Sequence, residues 1–149
     1  MTAPYTLRYS AYITSHSWSK PIESTDPGYE NKYAGMIGDK LILQAVRIEI
    51  LDQSGQNQPD LIEYQAHVQN LGWMEKVKGG QEAGTVGRNL RAEAFKINLT
   101  GAIAQSYDIE YRCYVEKKGW CKWVKNGEMA GTEGKAKYTE AIQIKLVPK

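Results

Sequence analysis

One pattern occurs three times along this 149-residue chain, and it restricts the fold to architectures assembled from a repeated unit. The second copy contains Ile62-Glu63-Tyr64, His67-Val68-Gln69, Gly72-Trp73, Ala83-Gly84-Thr85, Gly87, Glu93-Ala94-Phe95-Lys96-Ile97 and Leu99. The third contains Ile109-Glu110-Tyr111, Tyr114-Val115, Gly119-Trp120, Ala130-Gly131-Thr132, Gly134, Glu140-Ala141-Ile142-Gln143-Ile144 and Leu146. Each pair lies 47 residues apart, without a gap. The first copy is more diverged: Tyr9, Tyr12-Ile13, Trp18, Ala34-Gly35, Gly38, Gln44-Ala45-Val46, Ile48 and Ile50. Its offset to the second copy is 55 up to Trp18 and 49 from Ala34, so it holds six extra residues between them. These fall in Glu23–Asn31, whose Pro, Gly and Asp mark a surface loop.

Within each copy the apolar residues alternate. Leu7, Tyr9, Ala11 and Ile13 share one side of a strand, as do Ile62, Tyr64, Ala66 and Val68, and Ile109, Tyr111, Cys113 and Val115. The closing strands repeat this through Val46, Ile48 and Ile50, through Phe95, Ile97 and Leu99, and through Ile142, Ile144 and Leu146. Period two over five to seven residues predicts half-buried strands and no helix. Each repeat is expected to form three or four short antiparallel strands. One unit cannot bury its apolar face alone, but three can do so around a shared axis, leaving few sheet edges exposed. The expectation is one all-β domain over 1–149 with three-fold pseudo-symmetry, its repeats spanning about 5–52, 60–100 and 107–147. A β-prism is favoured, because each copy reads as a self-contained sheet; a β-trefoil is the alternative.

Charge and composition narrow the function. A net charge of +2 argues against a dedicated nucleic-acid binder. No run of 18 apolar residues exists, which argues against a membrane-embedded chain. Met1–Ser10 lacks the layout of a signal peptide, so an exported parent would imply a mature fragment or a module of a longer chain. Four Trp and ten Tyr stand against one Phe, so nearly every ring has a polar handle and suits a half-buried surface. Cys113 and Cys121 either bridge a hairpin in an oxidising compartment or are two small buried residues. Two histidines and no CxxC leave almost no ligand pool for zinc, and no clustered Asp motif supports calcium.

Trp18, Trp73 and Trp120 occupy one position in the three copies, as structural anchors or as platforms on which sugar rings stack. Trp123 occurs in the third copy only and is read as a single exposed contact. His67 aligns with Tyr12 and Tyr114, points away from Tyr64 and Val68, and is expected to face solvent, where Gln69 and Trp73 could join it in a hydrogen-bonding site. The paired glycines, such as Gly84 and Gly87, serve backbone geometry. Glu93 and Glu140 need partners if buried. A glycosidase needs two carboxylates at a fixed separation, which symmetry-related residues in different repeats do not supply, and the first copy has Gln44 there. Asn98-Leu99-Thr100 matches a glycosylation acceptor, discounted because Leu99 reads as buried.

The combination Tyr64-x-x-His67-Val68-Gln69-x-x-Gly72-Trp73, Ala83-Gly84-Thr85-x-Gly87 and Arg91-x-Glu93-Ala94-Phe95-x-Ile97-x-Leu99 resembles the clostridial hydrophobic repeat with its signature tryptophan, the ChW repeat. The third copy is similar, with Tyr114 in place of the usual His and Tyr138 near the usual Arg, and the first is degenerate. The resemblance implies a Gram-positive, clostridial or related bacterium and a place on secreted or surface proteins, beside hydrolases or adhesion domains. The expected function is a non-catalytic carbohydrate-binding or adhesion module, with a protein–protein assembly module as the alternative. The expected partner is a glycan or cell-wall polysaccharide, or else a surface protein, with no cofactor and no metal. Expected ligand-binding residues are Trp123, His67, Tyr12, Tyr114, Gln69, Trp73 and Trp120.

Overall fold

A computed structural model describes residues 4–149; Met1–Ala3, which begin the segment read for a leader, lie outside the described residues. Each repeat forms five strands rather than three or four. The first contains β1 (Thr6–Ile13), β2 (Ser17–Trp18), β3 (Ile22–Glu23), β4 (Ala34–Gly35) and β5 (Leu43–Leu51). The second contains β6 (Ile62–Val68), β7 (Gly72–Trp73), β8 (Val77–Lys78), β9 (Glu82–Gly84) and β10 (Ala92–Leu99). The third contains β11 (Tyr107–Val115), β12 (Gly119–Trp120), β13 (Val124–Lys125), β14 (Met129–Gly131) and β15 (Thr139–Pro148). Two long strands pair along their length, and two short ones return against the first of them. The only α-helical turn among the described residues is Ile103–Ser106, in the link to β11.

The repeats are not self-contained sheets. In each, the short Ala-Gly strand leaves its own repeat and pairs with the closing strand of another. β9 joins β5, β14 joins β10, and β4 joins β15. The exchange is cyclic, and it completes three five-stranded antiparallel sheets. Sequence offsets could not reveal this, because they are the same whichever repeat receives the strand.

The alternating residues behave as their period demands. In β6 the burial alternates without exception, and Ile62, Tyr64, Ala66 and Val68 are buried. Their counterparts in the other sheets, including Tyr9 and Tyr111, join one continuous apolar cluster. Removing so much apolar surface from water is the main force holding the repeats together.

Two polar devices fix each junction. The first is a buried tyrosine. The Tyr64 hydroxyl accepts from the Ile48 amide at 3.1 Å and also donates to the Gln81 carbonyl. Tyr111 does the same with the Ile97 amide, at 3.0 Å, and the Glu128 carbonyl. Tyr9 accepts from Ile144, at 3.3 Å, and donates to the Lys32 carbonyl, at 3.2 Å. Each hydroxyl thus ties its repeat to another repeat's closing strand. Burial pushes the Tyr64 and Tyr111 phenols up to about 12 and raises that of Tyr9 as well.

The second device is a β-bulge. Gln44, Glu93 and Glu140 are skipped in the ladders between the long strands. Their carbonyls accept from the amides of Thr85, Thr132 and Met36, at 3.2, 3.0 and 3.2 Å. The exchanged glycine lies directly against that carbonyl: a Cβ on Gly84, Gly131 or Gly35 would overlap the oxygen. All three also have positive φ, so glycine is required twice over.

Candidate functional site

Above each bulge, on the outer face of the sheet, sits a half-buried tryptophan. The tight hairpins of β2, β7 and β12 place Trp18 opposite Tyr12, Trp73 opposite His67, and Trp120 opposite Tyr114. Each pair meets edge to face, with centroids 5.5, 5.3 and 5.4 Å apart. A cation covers each indole: Arg47 at 4.3 Å, Lys96 at 4.4 Å and Arg112 at 4.5 Å. In the first two sheets that cation comes from the closing strand. In the third it comes from the opening strand, and Gln143 stands where Arg47 and Lys96 would be.

The second sheet has the densest polar cluster. Glu93 is 5% exposed and accepts from His67 Nδ1 at 2.9 Å and from Arg91 Nε at 2.7 Å. Glu133, from the third repeat, accepts from Trp73 Nε1 at 2.9 Å and lies 3.8 Å from His67 Nε2. Gln69 accepts from the Arg91 amide at 3.1 Å. His67 therefore does not stand free in solvent as expected. Its side chain is only 17% exposed, because a bulged carboxylate lies beneath it and a loop of another repeat closes over it. The partners that Glu93 required are present. Glu140, in the third sheet, instead accepts from the Gly38 amide at 3.0 Å.

The structure thus brings His67, Gln69 and Trp73 together, pairs Tyr114 with Trp120, and leaves Tyr12 with Trp18 on a different sheet. Trp123 is half-buried beside the third cluster: the Arg112 that covers Trp120 also lies 4.7 Å from the Trp123 ring, with Lys145 at 4.4 Å. Cys113 is buried and Cys121 half-buried, both as free thiols. Leu99 is buried, as expected. Among the described residues no cluster of three His, Cys, Asp or Glu is arranged to hold a metal ion.

One large cavity is not part of the repeat pattern. It is an open cleft of about 750 Å³ beside the first-repeat insertion. Arg8, Lys20, Lys32 and Asn31 bring donors to it, Glu23 and Asp26 bring acceptors, and Tyr33 adds an exposed ring. The inserted loop is tightly held. Asp26 accepts from the Glu23 amide at 2.9 Å, a 3-10 turn spans Tyr29–Asn31, and Gln143 donates to the Glu30 carbonyl at 2.8 Å. Tyr33 leans on Trp120, with centroids 5.7 Å apart. Lys32 lies 3.9 Å from Asp26 and Arg8 is held by Glu23 and Glu49, whereas Lys20 makes no ion pair among the described residues. Sequence reading placed a loop here but missed its charged walls, which come from three separate stretches.

Fold and surface together define an all-β repeat module in which each sheet is completed by a strand of another repeat. A family model described as ChW, Clostridial hydrophobic W, matches residues 67–101 and 114–148. These two segments match the ChW repeat, which typically occurs in surface proteins. Both matches open on the aromatic partner of the signature tryptophan, His67 or Tyr114. No curated protein and no solved structure matches the chain.

Proposed function

We propose that this protein is a non-catalytic carbohydrate-binding module of a secreted or surface protein, attaching its parent to glycans or cell wall. The observation that carries this reading is the first-repeat cleft. A sugar presents hydroxyls that both donate and accept, around a ring with an apolar C–H face. The cleft offers cations and carboxylates side by side, with Tyr33 39% exposed as a surface for that face. Its loop is already hydrogen-bonded into place, so little ordering opposes binding. A single open site of this kind binds weakly, and several sites on one chain raise avidity. Catalysis is not part of this reading: Glu93 is paired with Arg91 and hydrogen-bonded to His67, and Glu140 is engaged by a backbone amide.

The test is a glycan array followed by calorimetry on the best ligand. The wild-type protein should bind a defined glycan, and the Lys20→Ala/Tyr33→Ala double variant should lose at least about tenfold in affinity. A blank array, together with capture of one specific surface protein, would favour the assembly reading instead.

A further inference from the structure

The outer face of each sheet has a second position beside the tryptophan cluster, sharing with it the cation that covers the indole. In the second sheet it is a pocket of about 250 Å³, bordered by Glu63, Gln65, Lys76, Lys96 and Asn98 and closed at one end by Gly127 of the third repeat. In the first sheet it is a pocket of about 350 Å³, bordered by Arg8, Ser10, Pro21, Arg47 and Glu49 and closed by Gly80 of the second repeat. These are one site seen twice. Every residue of one aligns with a residue of the other in the repeat, and the ladders place Arg8 opposite Glu49 where Glu63 faces Asn98, and Ser10 opposite Arg47 where Gln65 faces Lys96. Gly80 and Gly127 both donate to the closing strand, to Ile48 at 2.8 Å and Ile97 at 2.7 Å.

The third sheet shows what such a pocket holds. The residue aligned with Pro21 and Lys76 is Trp123. Its indole lies on the corresponding surface, beside Glu110 and between Arg112 and Lys145, which align with Gln65 and Asn98. The chain therefore fills the third position with a flat ring of its own and leaves the other two open.

We infer that the open pockets of the first and second sheets are two equivalent sites for a single pyranose ring, and that Trp123 is the internal occupant of the third. Size fits one ring, since the two pockets, about 250 and 350 Å³, lie near the small end of ligand cavities, roughly 300 Å³. The walls favour a sugar over an aromatic side chain. Glu63 with Lys76 and Asn98, or Arg8 with Glu49, set acceptors and donors around the rim, where hydroxyls would satisfy them and a bare apolar ring would strip them of water. This inference rests on the glycan reading above, but it concerns pockets other than the Tyr33 cleft; the first-sheet pocket adjoins that cleft through Arg8 and Pro21, and the second-sheet pocket shares no residue with it.

Amide chemical shifts of the full chain, titrated with methyl glucoside, methyl galactoside and N-acetylglucosamine and separately with indole, test it. A pyranoside should move the Gly80 and Gly127 amides together. Lys76→Trp should copy the third sheet, abolishing the Gly127 response and leaving that of Gly80. Trp123→Ala should add a third responding region around Glu110. Pyranoside shifts confined to Lys20 and Tyr33 would overturn the inference and leave the glycan reading standing; shifts nowhere would overturn both. Indole moving Gly80 and Gly127 where pyranosides do not, or a Gly127 response that survives Lys76→Trp, would also overturn it.

Discussion

Glu93 and Glu140 hold the same bulged, buried place in the second and third sheets, yet they are stabilised differently. Glu93 is flanked by His67 and Arg91, and a second carboxylate, Glu133, arrives from the next loop. Glu140 has tyrosines where His67 and Arg91 stand, Ile37 aligns with Glu133, and the Gly38 amide is its hydrogen-bond donor. The first sheet avoids the charge altogether, with Gln44 donating to Thr14 at 2.8 Å. The backbone at all three junctions is nonetheless alike: a bulge, a glycine against its carbonyl, and a buried tyrosine hydroxyl. The difference teaches that the junction is specified by main-chain geometry, while the polar filling above it is free to diverge toward surface chemistry.

The comparison breaks if the shared parts prove unequal. The largest effect is expected from Gly35→Ala, Gly84→Ala and Gly131→Ala. Each should cost roughly 3 kcal/mol or more in urea unfolding, because the new Cβ overlaps a carbonyl and the φ is positive. One of the three tolerated would show that its junction is built differently.

Next comes alkaline unfolding. The three buried phenols ionise later in the folded chain than in the unfolded one, so the unfolded state alone loses their protons as pH passes 10. Stability should be full below pH 10 and fall steeply toward about pH 12. Circular dichroism against pH checks this, and Tyr64→Phe should make the fall shallower. At neutral pH, Tyr64→Phe and Tyr111→Phe should each cost about 1–3 kcal/mol, since a buried amide loses its acceptor.

The divergent parts should respond unequally. Glu93→Gln should destabilise by about 1–3 kcal/mol, because Arg91 and His67 bond different carboxylate oxygens and a carboxamide replaces one of these with an NH2 donor and removes the charge facing Arg91. Glu140→Gln keeps an oxygen for the Gly38 amide and should cost roughly 0.5 kcal/mol or less. Equal costs would remove the distinction between the two sheets. The smallest effect is expected at the cations over the indoles: Arg47→Ala or Lys96→Ala should lower stability by about 0.5–1 kcal/mol, with a change in Trp fluorescence.

What could be read from the sequence follows the same division. Period two announced the long strands, and the spacing of Tyr64, Trp73 and Phe95 announced the repeat, because local alternation is a property of one strand. The strand exchange, the tyrosine bonds and the burial of His67 were not legible, because each depends on a different repeat: β9 on β5, Tyr64 on Ile48, and His67 on Glu133. Trp123 illustrates the limit. Its absence from the other copies reads as an exposed contact, whereas the structure half-buries it, and the residues aligned with it, Pro21 and Lys76, line pockets.

Everything at the junctions depends on which repeat receives each Ala-Gly strand. Cross-strand nuclear Overhauser effects in solution measure this directly. They should connect Val46 with Ala83, Phe95 with Ala130, and Ile142 with Ala34. Contacts within a repeat instead, Ala34 with Val46 and Ala83 with Phe95, would contradict the account.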